Sequence, residues 1–342
     1  MPKPCNAPIG AGRPGPPIYT RRALRAARTK RSTGRGGLRA LVRGGAAAAV
    51  VASVALPLLR KRLELPAAAT IAATVAGPVG TAVLRPRTKA RDAVLFGQQM
   101  WAFTMVHELP YDDPERLRER LRVNYPIKTD RLLGAGELPN SRLQRRFSRP
   151  GRPTRLDRFL TFVHWAWFLE PHASLLFILA RDERRFARAA RQMAAAYDLG
   201  CAGYFSVPTA PPWWASEEGY TGDEKVRRLM VEVGEEVWGD AWPHLYRSLG
   251  GNPWAAMPSL HFGASVLAAI LLYESNRAAG LVGWAYALTL GFALVHLGEH
   301  YVADLLAGLA LVATVRAGEP LAEPLALALS DGIQRLERIA NG

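Results

Sequence analysis

The sequence predicts an all-α fold: a polytopic membrane helical bundle with a six-span catalytic core behind an N-terminal apolar hairpin. Three observations predict it. Several blocks approach the ~20 apolar residues that cross a bilayer core at 1.5 Å per residue. Arg-rich links alternate with an acidic segment along the chain. Finally, 49% of the 342 residues are hydrophobic, and the near-zero mean hydropathy of −0.01 hides their gathering into Ala-, Leu- and Val-rich blocks. The net charge of +15 is equally uneven, because residues 1–43 hold eleven basic residues and no acidic one. That distribution excludes a uniformly basic nucleic-acid-binding domain and a mainly disordered chain.

Taken in order, residues 1–43 are Pro-, Gly- and Arg-rich and read as a disordered basic cytoplasmic tail held near anionic lipid. An Arg-rich lead of this length is too long for the n-region of a secretory signal peptide. Residues 44–91 form the membrane hairpin, from the apolar blocks 44–59 and 66–84 and the basic link RPRTKAR at 85–91. Residues 92–318 form the main membrane domain, with apolar blocks at 93–106, 159–180, 193–207, 257–273, 280–297 and 301–315. The block 280–297 is the strongest, since it holds no charged side chain and carries an interfacial Trp284. Gln98 and Gln99 interrupt 93–106, so the count is six to eight spans. Residues 319–342 read as a cytoplasmic C-terminal tail. Cys5 and Cys201 are too few for a disulfide framework or a zinc knuckle.

Lys and Arg in short connections set orientation. The tail, the 85–91 link and the link RDERRFARAAR at 181–191 are expected in the cytoplasm, and 208–257, with eight acidic and four basic residues, outside. The segment 109–158 also falls outside although it carries thirteen basic and seven acidic residues; within it, 112–123 has the spacing of an interfacial helix. The resulting expectation is a multi-pass cell-membrane protein with both termini cytoplasmic and its site facing outward. The preference for Arg and Ala suggests a GC-rich bacterial genome, hence a bacterial plasma membrane.

Two motifs carry the chemistry. In AMPSLH (256–261), Pro258 suits a first helical turn, and Ser259 with the backbone N–H groups of that turn, Leu260 included, can hold an anion such as phosphate. In HLGEHYVAD (296–304), His300 and Asp304 share a helical face at i, i+4, so the carboxylate can fix the tautomer of the ring and leave its other nitrogen free. The topology brings both motifs to the same membrane side, with YFSVPTAPPWW (204–214) ending the preceding span. Together they point to His300, His261 and Asp304 as the reacting groups.

These residues resemble the type 2 phosphatidic acid phosphatase superfamily, and most nearly its inositolphosphorylceramide-synthase-like branch. The likeness lies in APPW at 210–213, PSLH at 258–261 and HYVADLLAG at 300–308, in that order, over roughly 93–318. The resemblance implies a lipid-phosphate phosphatase or phosphotransferase. His300 would attack phosphorus to form a phosphohistidine, Asp304 would orient it, and His261 would protonate the leaving oxygen and then activate water or an alcohol. Ser259 and the Leu260 amide would hold phosphate oxygens. No metal or organic cofactor is implied, and the partners are a lipid phosphate, its acceptor and membrane lipids, with no nucleic acid. Ala210, Leu260 and Leu294 stand where the wider family has Arg, Gly and Arg. Replacement cations are sought among Lys225, Arg227, Arg228, Lys128 and Arg131. Two alternatives compete: a zinc-dependent membrane peptidase using His296, Glu299 and His300 as an H-x-x-E-H site, and a non-catalytic lipid-binding membrane protein.

Overall fold

The computed structural model describes residues 21–249 and 252–342. Its helices, in chain order, are α1 (Arg21–Leu59), α2 (Ala67–Leu84), α3 (Lys89–Glu108), α4 (Pro114–Glu119), α5 (Asn124–Leu133), α6 (Pro139–Phe147), α7 (Arg155–Ala166) and α8 (Glu170–Arg181). There follow α9 (Glu183–Ser206), α10 (Pro212–Glu217), α11 (Leu229–Trp238), α12 (Trp242–Leu249), α13 (Leu260–Ser275), α14 (Arg277–His296) and α15 (Val302–Asn341). Among the described residues there is no strand, only isolated bridges such as those from Thr209 to Arg122 and Ala255. The all-α polytopic bundle expected from the sequence is therefore the fold.

Fewer helices meet the demands of a bilayer than the six to eight apolar blocks suggest. Among the described residues four are long and apolar enough: residues 36–59 of α1, then α2, α14 and α15. A fifth forms if α7 and α8, bent by 50° at a short break, count as one span. The others fail for identifiable reasons. α3 and α9 are long enough, but α3 opens on Lys89, Arg91 and Asp92, and α9 opens on Glu183, Arg184 and Arg185. α13 is apolar but only 16 residues long.

Both ends of the chain depart from the expected tails. Helix α1 starts at Arg21, so residues 21–43 are helical, whereas residues 1–20, with Cys5, lie outside the described residues. Residues 319–341 continue α15 through Pro320 and Pro324. Glu337 in that extension takes ion pairs from Arg87 at 2.7 Å and Arg91 at 2.8 Å, and Asn341 Nδ2 donates to the Val83 carbonyl at 3.1 Å. This end of the bundle is thus tied to the α2–α3 link.

The opposite end is roofed by α4–α6 and α10–α12. Residues 112–123 form no single interfacial helix: α4 covers six residues, and Leu117 is buried. A buried apolar cluster of Val123, Ile127, Leu138, Ala210, Ala215, Val226, Tyr301 and Ala303 binds this roof to the start of α15. Ala210 backbone N–H donates to the Arg122 carbonyl at 3.0 Å, and Thr209 N–H to the Trp254 carbonyl at 2.8 Å. The TAPPWW stretch is stitched between them.

Helices α13 and α15 pack closely enough to need glycine. A Cβ on Gly308 would lie 2.7 Å from the Ser259 carbonyl oxygen, and one on Gly263 would lie 3.1 Å from the Gly308 carbonyl oxygen. Gly308→Ala should therefore force the helices apart at a cost of about 1–3 kcal/mol. Gly318→Ala, further along the same helix and facing open space, should cost nothing. Thermal unfolding of the two variants in detergent checks the difference; equal melting temperatures would contradict the packing argument.

Candidate active site

The site lies under the roof, where α13 and α15 begin and α14 ends. Ser259 caps α13, its Oγ accepting from Phe262 N–H at 3.3 Å. Pro258 precedes the cap and so stands outside the first turn, to which the sequence assigns it; its peptide bond from Met257 is cis. Ser259 N–H donates to the Asp304 carbonyl at 2.9 Å, which sets the two helix starts side by side.

His300 precedes α15, so its link to Asp304 is not made within a helix. Instead, Asp304 Oδ2 accepts from Tyr301 N–H at 2.8 Å, which folds the chain back and brings His300 Nδ1 to 3.3 Å from the same oxygen. Asp304 is fully buried and His300 is 4% exposed. A carboxylate only accepts, so Nδ1 of His300 carries the proton and Nε2 keeps its lone pair. Nε2 faces His261 Nδ1 at 3.2 Å, and by the same reasoning His261 is the donor there. His261, His300 and Asp304 therefore form one hydrogen-bonded chain.

Three roof side chains hold this chain from behind. Asp130 on α5 accepts from the N–H groups of Val302 and Ala303, both at 2.8 Å, and so caps α15 with a carboxylate at its positive end. Burial pushes the Asp130 carboxyl up to about 6, against these two amides, which favour its charged form. Asn140 on α6 donates to the carbonyls of Val295 at 2.8 Å and His300 at 2.9 Å. Gln144, one turn on, donates to the carbonyls of Arg227 at 2.8 Å and His296 at 2.9 Å and accepts from Arg227 N–H at 2.8 Å. Gly298 (φ 82°) makes the intervening turn in the left-handed region, where side chains are disfavoured.

The expected phosphate cations are not all here. Arg228 pairs at 3.0 Å with Glu299, the residue before the nucleophile candidate, and lies 3.9 Å over the Trp213 ring. Burial opposes the charged form of Glu299, but the Arg228 guanidinium outweighs it and holds the carboxyl below its ordinary range. Arg227 turns away to Glu232 and the Arg149 carbonyl, and Arg131 binds Glu224 at 2.7 Å and the Thr221 carbonyl. Lys128 is exposed on α5. Thus Ser259, Leu260 and Arg228 join the histidines, and Arg227, Arg131 and Lys128 do not.

Nor are the H-x-x-E-H residues brought together as a zinc site. His296 is fully buried with Nε2 at 2.7 Å from Asp157 Oδ1 and 3.2 Å from Ser148 Oγ, Glu299 is bound by Arg228, and His300 is bound by Asp304. Among the described residues no group of three His, Cys, Asp or Glu side chains is placed to hold a metal ion. The sequence reading missed two neighbours of His261: His164, with ring centroids 5.0 Å apart, and Trp167, at 4.2 Å. A histidine inside the apolar block 159–180 was the available signal.

With the geometry established, comparison with known proteins adds one finding. Residues 152–317 match the PAP2 superfamily. The PAP2 match covers α7 to the membrane part of α15 and includes His261, His300 and Asp304; it begins later than the 93–318 of the sequence resemblance and leaves Asp130, Asn140 and Gln144 outside. No curated protein and no solved structure matches the chain.

Arg228→Ala would leave Glu299 without its ion partner in a largely buried place. The expected loss is about 2–3 kcal/mol at pH 7, below the figure for a fully buried pair because both side chains keep some exposure. Glu299 is depressed by Arg228, so this stabilisation is present above the ordinary carboxylate range and is lost as pH falls through the depressed value. Unfolding of wild type and variant at neutral and acid pH should show the gap closing on acidification.

Proposed function

We propose that this chain is a PAP2-type membrane enzyme that removes or transfers the phosphoryl group of a lipid phosphate through a phosphohistidine on His300. The observation that carries the reading is the chain Asp304–His300–His261, with the His300 lone pair aimed at a second histidine. The phosphoryl group would come between the two rings, which must part to admit it. His300 Nε2 then forms the N–P bond as the lipid oxygen leaves, and His261 supplies that oxygen with a proton. In the second half, His261 takes a proton from the incoming hydroxyl as the O–P bond forms and the N–P bond breaks.

Asp304 keeps His300 in the productive tautomer and stabilises its positive form. Ser259 and the start of α13 present hydroxyl and helix-dipole charge to phosphate oxygens. Arg228 is the cation best placed to meet them, once phosphate replaces Glu299 as its partner. APPW, PSLH and HYVADLLAG favour the inositolphosphorylceramide-synthase-like branch, and the charge pattern favours an outward-facing site in a bacterial plasma membrane. The acceptor is water or an alcohol.

His300→Ala and His261→Ala should each lower turnover of a lipid phosphate by roughly a thousandfold or more, because groups acting as a unit fail together. Turnover should survive EDTA, and the pH–rate curve should be bell-shaped, since one histidine must be neutral and the other charged. Assays of purified protein against lipid phosphates decide the matter: His300→Ala retaining a tenth of the rate, or zinc-reversible loss with EDTA, would sink the reading.

A further inference from the structure

The break between α7 and α8 lies beside His261 and has features that a passive bend does not need. Trp167, in the break, has its ring centroid 4.2 Å from that of His261, while the next two residues, Phe168 and Leu169, are 48% and 70% exposed on the outer surface of the bundle. Glu170 follows as the first residue of α8, a carboxylate within a segment that otherwise reads as a bent membrane span. Its Oε1 accepts from Ser174 Oγ at 3.0 Å and its Oε2 from Ser265 Oγ at 3.2 Å. Ser265 is on α13, one turn beyond His261 on the same face. An ionisable group at this depth is expensive and usually functional.

Glu170 is not fully used by its two serines. A carboxylate offers about four acceptor positions, so two remain. Tyr197 of α9 lies within electrostatic reach of Glu170, is 1% exposed, and its hydroxyl has no hydrogen-bond partner; Trp167 Nε1 is likewise buried without one. Leaving such groups unsatisfied is costly, so they are poised to take a partner. The Tyr197 and Trp167 rings are 6.5 Å apart, so both donors and the carboxylate belong to one neighbourhood. Broken spans are also where membrane proteins expose polar groups to a ligand.

We propose that this break is a hydroxyl-binding subsite for a membrane-resident lipid alcohol, which reaches it across Phe168 and Leu169 and competes with water for the phosphoryl group. The proposal rests on the phosphohistidine reading above. The alcohol hydroxyl donates to Glu170 and accepts from Tyr197 as the lipid enters, then moves up one turn to His261. There its oxygen forms the O–P bond while the N–P bond to His300 breaks, and its proton passes to His261. Glu170 is thus a positioning residue that biases the enzyme toward transfer.

The test uses the full-length protein in phosphatidylcholine vesicles, with phosphatidic acid labelled in its phosphoryl group as donor and hexadecanol as the lipid alcohol. Protein-bound label, free phosphate and hexadecyl phosphate are measured together. Wild type should make hexadecyl phosphate, and Glu170→Ala should lower the ratio of transfer to hydrolysis by roughly tenfold, the equivalent of one charge-assisted hydrogen bond, while protein-bound label forms as before. Glu170→Gln, which keeps an acceptor oxygen, should lose less. Tyr197→Phe should move the ratio in the same direction and decides the question if Glu170→Ala does not fold. Protein-bound label without hexadecyl phosphate in wild type, or an unchanged ratio in the folded variants, overturns the subsite alone. Absence of protein-bound label overturns the phosphohistidine reading beneath it.

Discussion

The hydrogen bond from Ser259 N–H to the Asp304 carbonyl sets the positions of His261, His300 and Asp304 relative to one another. It joins the first turns of α13 and α15, two helices whose starts are 42 residues apart in the chain. Backbone can come this close only because Gly263 and Gly308 present no side chain at the crossing. Once the two starts touch, His261 on one and His300 before the other are bound to face each other, and Asp304 is bound to lie behind. Two helix N-termini also converge at one place; Asp130 already occupies the positive end of α15, and that of α13 is left to favour an anion.

The roof shows how such a junction is kept in register. The segment 109–158 draws attention in the sequence by its arginines, yet several of them serve the roof itself: Arg131 binds Glu224, and Arg142 and Arg145 bind Glu137. The residues that reach the turn carrying His300 are the buried polar ones, Asp130, Asn140 and Gln144, and they do so through backbone atoms. The electrostatics follow the same division. Surface pairs of this kind contribute little, whereas a carboxylate at the start of α15 and an ion pair between Arg228 and Glu299 act in places that water scarcely reaches.

What the sequence revealed, and what it hid, follows from the distance between partners. AMPSLH and HLGEHYVAD are local, so their candidate residues stand out by type and spacing, and His300 and Asp304 do meet as their spacing suggests, although a turn and not a helix brings them together. Asp130 bonds to residues about 170 positions away, and Asn140 to residues about 155–160 away; nothing near them in the chain marks that role. The same limit misled in the case of His296. Its spacing to Glu299 and His300 fits a metal motif, but its true partner is Asp157, 139 residues earlier. The number of spans differs from the number of apolar blocks for another reason: the charged first turns of α3 and α9 belong to the same helices as their apolar remainder.

The roof also redefines what counts as one unit of this protein. The stretch that matches the PAP2 superfamily starts at residue 152, after α6 has ended at Phe147. A chain trimmed to that stretch would keep both histidines and Asp304 and lose Asp130, Asn140 and Gln144, so the turn carrying His300 would have lost its buttress. Grafting the matched core onto a different N-terminal part would have to carry α5 and α6 with it. The structural unit is therefore bounded by its hydrogen bonds, and it begins some distance upstream of the residues that match the superfamily.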